Sequence, residues 1–272
     1  MPELPEVETV CRGLQAFLPG SRVVGLQVRE RRLRWPVPVE RMTQELVGTD
    51  FQTVTRRGKY LLLRADLGVI LLHLGMSGVL SGLATGVPPG RHDHVDFLLA
   101  DGRLLRYNDP RRFGAILWTR EAPESHPLLA SLGPEPLGRD FSAAFLFRIS
   151  RGRTRAVKSL LMDSRVVVGV GNIYASEALF RAGVDPTLPA GRLSRRRCGV
   201  LARAVREVLT EAVARGGTSL RNFKDCEGRP GYFRQELRVY GREGESCPQC
   251  GRPLSRSLIA GRATFHCVGC QR

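Results

Sequence analysis

Four cysteines near the C-terminus, Cys247, Cys250, Cys267 and Cys270, form a C-x2-C-x16-C-x2-C array. Two cysteines two residues apart place both thiolates on one side of a tight knuckle, and two knuckles supply the tetrahedral four-sulfur set that zinc prefers. A closed four-thiolate site offers no open coordination position, so one zinc ion is expected to hold structure and perform no chemistry. The competing reading, a pair of disulfides, needs an oxidising compartment, and no basic, apolar, small-residue leader opens the chain. Zinc and a cytoplasmic location are therefore expected. A second chemical signal is the scarcity of lysine: the 42 Lys+Arg residues include only Lys59, Lys158 and Lys224. An amine can give up a proton and a guanidinium cannot, so Lys59 is a candidate proton donor, although three lysines could also survive by chance. Of the cysteines outside the array, Cys11, Cys198 and Cys226, two fall on apolar helical positions, where a small buried thiol is expected.

The 42 basic residues face 26 acidic ones. Residues up to Glu135 carry 17 basic and 15 acidic side chains, leaving 25 and 11 for the rest, or +2 against +14. A basic C-terminal part suits a phosphate-rich partner, because each neutralised phosphate releases a condensed counterion. A solvated, arginine-rich surface is the bland alternative. The chain has no unbroken apolar run near 18 residues, which argues against a membrane span, and 272 residues suit two domains of ordinary size.

Several elements must position these groups. Val7, Val10, Cys11, Leu14 and Phe17 recur at helical spacing from Pro5 to about Phe17, with Pro5 suited to the first turn. Strand-like runs follow at Arg22 to Glu30, Thr53 to Leu63, Val69 to Leu74, His94 to Leu99, Arg103 to Tyr107 and Ala115 to Thr119, a pattern that fits a β-sandwich or barrel. Glu121 to Arg139, rich in proline and glycine, reads as a linker. Helices are expected over Ser142 to Ser150, Thr154 to Met162 and Ile173 to Ala182, and from an N-cap at Ser194 to Gly216. The two glycines of Gly169-Val170-Gly171-Asn172 suit either a bare interhelical turn or close backbone approach to a ligand.

The opening Met1-Pro2-Glu3-Leu4-Pro5-Glu6-Val7-Glu8-Thr9 resembles the N-terminus of the bacterial formamidopyrimidine-DNA glycosylases, which excise oxidised purines. Further segments match that family in order: Arg57-Gly58-Lys59-Tyr60-Leu61, His73-Leu74-Gly75-Met76-Ser77-Gly78, His92-Asp93-His94-Val95, Asp109-Pro110-Arg111-Arg112-Phe113-Gly114, Gly169 through Glu177, Pro230-Gly231-Tyr232-Phe233, and the cysteine array enclosing Gly261-Arg262-Ala263-Thr264-Phe265. The resemblance spans essentially the whole chain. It implies a two-domain α+β fold: an N-terminal β-sandwich flanked by helices over residues 1–120, a linker at 121–141, a helix–two-turns–helix DNA-binding domain over 142–236 with a lesion-recognition loop near 216–232, and a zinc-finger hairpin over 237–272.

The resemblance also implies roles. Removal of Met1 would expose the secondary amine of Pro2, a nucleophile whose ordinary titration near 7.7 to 8.0 leaves a neutral fraction at pH 7. Glu3 would serve as general acid toward the sugar ring oxygen, or merely complement the helix dipole. Glu6 would support proton movement, Lys59 would donate the proton of β-elimination, and Arg262 would hold phosphate for the second elimination. Met76, Arg111 and Phe113 match a wedge that fills the space left by an extruded base, although Met76 and Phe113 could instead be ordinary core residues. His92, Arg111, Arg153 and Asn172 would contact the DNA backbone, with Lys158 as a further candidate. The implied partner is damaged double-stranded DNA, met by a monomer. Two other readings stay open: an endonuclease VIII-like enzyme for oxidised pyrimidines, against which Leu4 and Arg111-Arg112-Phe113 argue, and a zinc-ribbon DNA-binding protein without catalysis, which leaves the acidic N-terminus and Lys59 unexplained.

Overall fold

A computed structural model of the chain describes residues 2–216, 223–224 and 237–272. Two compact units emerge. The first comprises residues up to Ala130 together with a two-residue strand at Phe223–Lys224, and the second comprises Ser131–Arg215 together with the described C-terminal residues.

In the first unit, helix α1 (Leu4–Phe17) precedes β1 (Val23–Val28), α2 (Val39–Leu46) and seven further strands. These are β2 (Phe51–Arg57), β3 (Tyr60–Ala65), β4 (Gly68–His73), β5 (Val79–Ala84), β6 (Asp93–Leu99), β7 (Arg103–Asn108) and β8 (Ala115–Thr119), followed by the short helix α3 (Pro127–Ala130). One sheet runs β2-β3-β4-β8; the other runs β1-β6-β7-β5 and ends on β9 (Phe223–Lys224), which pairs parallel to β5. Alternate side chains meet between them, Leu61, Leu63, Ile70, Leu72 and Ile116 from the first sheet joining Leu80, Val95, Phe97, Leu105 and Tyr107 from the second. The period of two puts these residues on one face of each strand. Val7, Val10, Leu14 and Phe17 add the apolar stripe of α1 to the same core.

The run read as one strand from Thr53 to Leu63 is two strands. Gly58 adopts φ +59° and turns the chain between β2 and β3, so that Arg57 pairs with Tyr60. Lys59 therefore lies in a hairpin turn and not along a strand. Helix α2 and strand β5 carry no counterpart among the sequence expectations: α2 buries only Met42 and Leu46, too few apolar positions to announce a helical period.

The second unit contains α4 (Ala143–Ser150), α5 (Val157–Leu161), α6 (Asn172–Arg181) and α7 (Arg195–Ala214), then the hairpin β10 (Ser255–Ile259) and β11 (Arg262–His266). Ser142 and Ser194 cap α4 and α7 by accepting the Phe145 and Arg197 amides. Leu201, Val205, Val208, Leu209 and Ala212 of α7 pack on Tyr174, Ala178 and Leu179 of α6. A smaller apolar cluster of Phe180, Val239, Leu254, Cys247 and Cys267 joins α6 to the C-terminal module. The α+β class and the helical module with its cysteine hairpin are thus as expected, and no helix among the described residues is long and apolar enough to cross a membrane. Of the expected recognition loop near 216–232 only Gly216 and Phe223–Lys224 are described; Thr218, Ser219, Arg221 and the third cysteine outside the array, Cys226, lie outside the described residues.

Candidate active site and nucleic-acid interface

Pro2 is buried and stands immediately before Glu3, the N-cap of α1. Glu3 and Glu6 form a reciprocal capping box: the Glu3 amide donates to Glu6 Oε2 at 2.8 Å while the Glu3 carboxylate accepts the Glu6 amide. Both carboxylates are nearly inaccessible, at 3 % and 5 % exposure. Pro2 thus stands one residue ahead of a capped helix start, at the positive end of the α1 dipole. Pro5, not Pro2, occupies the first turn of the helix.

Lys59 projects from the β2–β3 turn, whose carbonyl at Gly58 accepts from Arg56 Nη1 at 2.9 Å. Arg56 Nε also reaches Glu8 Oε2 on α1 at 2.8 Å, and Glu8 pairs further with Arg12. Burial works against the Glu8 carboxylate, but Arg56 and Arg12 outweigh it and hold the group below its usual range. The turn carrying Lys59 and the helix that begins beside Pro2 are tied by this pair. Across the strand pair from Tyr60 lies His73, its ring 4.8 Å from the tyrosine ring and its Nδ1 accepting the Gly75 amide at 2.9 Å. Burial, reinforced by the charges of Lys59 and Arg34, pushes this imidazole down to about 4. His73 is accordingly neutral at pH 7, with its proton on Nε2 because Nδ1 is an acceptor. Sequence reasoning did not single out His73; its place next to the Gly75-Met76 segment was the available signal.

Met76 and Phe113 are not core residues. They are 40 % and 46 % exposed, on the segments that follow β4 and precede β8, and the Arg111 guanidinium lies 4.9 Å from the centre of the Phe113 ring. The two segments touch at backbone level: a Cβ on Gly75, whose φ is +59°, would fall 2.4 Å from the Phe113 carbonyl carbon. Arg112 takes a left-handed φ of +55° and pairs with Glu30 at 2.7 Å. His92 lines an open cavity of about 330 Å³ with Arg29, Arg91, His94 and Arg112.

In the second unit the four array cysteines converge, with their Sγ atoms all within 4.8 Å of one another. Cys247 and Cys270 are 3.8 Å apart and Cys250 and Cys267 3.5 Å, spacings well beyond a disulfide. Metal–sulfur bonds of about 2.3 Å in a tetrahedron give edges of about 3.8 Å, so the set fits a single tetrahedral cation. Desolvation and the three neighbouring sulfurs push the Cys270 thiol up to about 12, a strain that a cation among the sulfurs removes. Cys11 and Cys198 are buried, as expected of small apolar thiols, and burial pushes Cys11 up to about 11.

Arg262 opens β11 on an exposed hairpin tip, where Ala260 and Gly261 both adopt positive φ, +49° and +71°, the twist-matched two-residue turn. The next residue is gripped from below. Asn172 Nδ2, at the first turn of α6, and Lys158 Nζ each donate to the Ala263 carbonyl at 3.0 Å, and Lys158 also donates to Thr264 Oγ1 at 2.8 Å. Lys158 is 1 % exposed, so it is a support of the hairpin and not the surface backbone contact considered for it. Arg153, by contrast, is exposed in the turn after α4. Glu177 of α6 accepts the amides of Arg238, Val239 and Tyr240 at 2.9 to 3.0 Å, anchoring the start of the cysteine module. The structure thus groups Pro2 and Glu3 at one helix start, Met76, Arg111 and Phe113 at one exposed edge, and Asn172 and Arg262 around one hairpin.

Comparison with known proteins agrees with this geometry. The model described as the formamidopyrimidine-DNA glycosylase N-terminal domain matches residues 1–116, and the formamidopyrimidine-DNA glycosylase H2TH domain matches residues 132–224. A β-sandwich headed by a capped helix, followed by this helical module and a four-cysteine hairpin, defines the helix–two-turns–helix class of DNA repair glycosylases. Formamidopyrimidine-DNA glycosylase of Syntrophotalea carbinolica is 57 % identical over 272 residues, covering all of both chains. The crystal structure of the MutM (Fpg) protein of Thermus thermophilus superposes with a TM-score of 0.87 at 41 % identity, covering 99 % of this chain and 98 % of that one. A mutant of the Lactococcus lactis protein, in complex with DNA containing Fapy-dG, gives 0.91 at 32 % identity with both chains fully covered. The chain belongs to the formamidopyrimidine-DNA glycosylase family.

Proposed function

We propose that this chain is a bifunctional DNA glycosylase and abasic-site lyase of base excision repair, acting as a cytoplasmic monomer on oxidised purines, 8-oxoguanine and formamidopyrimidines, in duplex DNA. The observation that carries the proposal is the burial of Pro2 directly ahead of the Glu3–Glu6 capping box, a helix start built around the residue whose amine would react. The positive end of the helix disfavours a further positive charge, which keeps part of the amine neutral. Its lone pair attacks C1′ of the extruded nucleotide, the glycosidic bond breaks and the base departs with the electron pair, taking up the proton that the Pro2 nitrogen gives up. Glu3 gives a proton to the ring oxygen as the sugar opens, leaving an iminium between Pro2 and C1′. That charge acidifies the C2′ proton, whose loss expels the 3′ phosphate; a second elimination expels the 5′ phosphate. Lys59 serves the proton transfers and Arg262 holds phosphate during the eliminations.

Met76, Arg111 and Phe113 take the space of the extruded nucleotide, Arg111 pairing with the orphaned cytosine. His92, Arg153 and Asn172 contact the DNA backbone. Cys247, Cys250, Cys267 and Cys270 hold one structural zinc ion, which fixes the hairpin bearing Arg262 and takes no part in the reaction. Borohydride reduction during turnover of an 8-oxoguanine duplex is expected to yield a covalent protein–DNA adduct at Pro2. Normal strand cleavage by Pro2→Gly would overturn the assignment, and faster excision of thymine glycol than of 8-oxoguanine would overturn the purine preference.

A further inference from the structure

The exposed edge formed by Met76, Arg111 and Phe113 has a buried centre. Asp109 is fully inaccessible, and its two carboxylate oxygens accept four hydrogen bonds. Oδ1 takes the Ser77 hydroxyl at 2.6 Å and the Arg111 amide at 3.3 Å. Oδ2 takes the Tyr107 hydroxyl at 3.1 Å and the Gly114 amide at 2.8 Å. A carboxylate has about four lone-pair sites, so these donors fill it. Its own main chain extends the grip: the Asp109 amide donates to the His92 carbonyl at 3.0 Å, and the Asp109 carbonyl lies 2.8 Å from His94 Nε2.

The donors come from separate segments, and three of the four stand at or next to a residue assigned to DNA. Ser77 follows Met76, the Arg111 amide belongs to Arg111 itself, and Gly114 follows Phe113. Tyr107, inaccessible in β7, ties the group to the sheet. Through these donors one buried carboxylate ties together the two segments that carry Met76, Arg111 and Phe113.

We infer that Asp109 is the positioning residue of the intercalating edge and that it sets opposite-base discrimination: it holds Arg111 in register with the orphaned base while Met76 and Phe113 separate the neighbouring stack. The inference rests on the wedge reading given above. Asp109 is inaccessible and acts through these neighbours. Replacing one oxygen by an amide nitrogen sets N–H against a main-chain donor, so Asp109→Asn takes the carboxylate from either the Arg111 amide or the Gly114 amide, while the Ser77 or Tyr107 hydroxyl beside it turns to accept.

Excision is to be measured on duplexes with 8-oxoguanine opposite cytosine or adenine, and cleavage on a single-stranded abasic oligonucleotide, which has no opposite base and no stack to open. In Asp109→Asn, excision opposite cytosine is expected to fall by about tenfold to a hundredfold, the range that a displacement near 1 Å produces. The cytosine-to-adenine ratio is expected to collapse toward one, and single-strand cleavage to fall far less. Ser77→Ala, which leaves the carboxylate in place, is expected to lower the same ratio by roughly tenfold, for the loss of one hydrogen bond to a charged group. Equal losses on all three substrates, or an unchanged ratio in both variants, would overturn the inference. Arg111→Ala separates the two levels: an unchanged ratio in that variant defeats the wedge reading itself, whereas a collapsed ratio there with unchanged ratios in Asp109→Asn and Ser77→Ala defeats only the role of Asp109.

Discussion

Lys158 Nζ donates to Thr264 Oγ1 at 2.8 Å, which binds helix α5 to the strand that starts with Arg262. The ammonium is 1 % exposed, and its bonds to Thr264 and to the Ala263 carbonyl offset the loss of water. Hydrogen bonds from a charged donor contribute about 1.5 to 3 kcal/mol each, part of which desolvation cancels. Lys158→Met is therefore expected to destabilise the second unit by about 1 to 3 kcal/mol, read as a lower urea midpoint with the slope unchanged. An unshifted midpoint would show that the buried amine contributes nothing net.

Metal removal is expected to unfold the C-terminal module. Outside the cysteines its apolar cluster offers Phe180, Val239 and Leu254, side chains that contribute about 1.5 to 3 kcal/mol each when buried. Ordering a backbone residue costs about 1 to 2 kcal/mol, and the module runs from residue 237 to 272. Burial alone cannot offset that cost, whereas zinc in comparable small sites supplies about 10 to 16 kcal/mol. Chelation should release zinc in equimolar amount with the chain and open residues 247–270 to limited proteolysis. Resistance unchanged after chelation would remove the metal from the account.

Backbone geometry at the exposed edge gives a third expectation. A Cβ on Gly114 would stand 1.7 Å from Tyr107 Oη and 2.6 Å from the His73 carbonyl, both in the sheet interior. Overpacking of this kind costs about 1 to 3 kcal/mol even when neighbours yield. Gly86→Ala is the contrasting case: φ is +91° there but nothing lies within 4 Å, so only backbone strain of about 1 to 2 kcal/mol applies. Thermal unfolding of the pair should show Gly114→Ala as the less stable, and also the one with altered DNA cleavage. The reverse order would mean that the Tyr107 hydroxyl moves freely.

The sequence conveyed this architecture unevenly, for physical reasons. Helices α1 and α7 were legible because their apolar residues repeat at helical spacing and because Ser194 is an N-cap type. The cysteine cluster was legible because a knuckle is local and needs only spacing. Lys59 was visible as a chemical type but misplaced on a strand, since the turn at Gly58 depends on a backbone conformation that composition does not announce. Composition favoured the core for Met76 and Phe113, and the structure exposes both; an exposed hydrophobic side chain looks the same in sequence as a buried one. Lys158 was named as a surface contact and is instead a buried support, because its partner Thr264 lies 106 residues away; Asp109 was not singled out, and one of its partners, Ser77, lies 32 residues off.

The neutral imidazole of His73 makes the first unit acid-sensitive in a definable window. Its folded value, about 4, lies below the ordinary 6.5, so between these values the unfolded chain binds a proton that the folded chain refuses. Stability contributed by this group is therefore complete above about pH 6.5, declines as pH falls toward 4 and changes no further below it. The full difference corresponds to roughly 3 kcal/mol. His73→Gln keeps a side-chain acceptor for the Gly75 amide and removes the titration. Unfolding free energies at pH 7 and pH 5 should fall more steeply in the natural chain than in His73→Gln, by about 1 to 2 kcal/mol, since part of the window lies between those two pH values. Parallel losses in the two proteins would place the acid sensitivity in other groups, and a steeper loss in His73→Gln would show that the imidazole is protonated in the folded state.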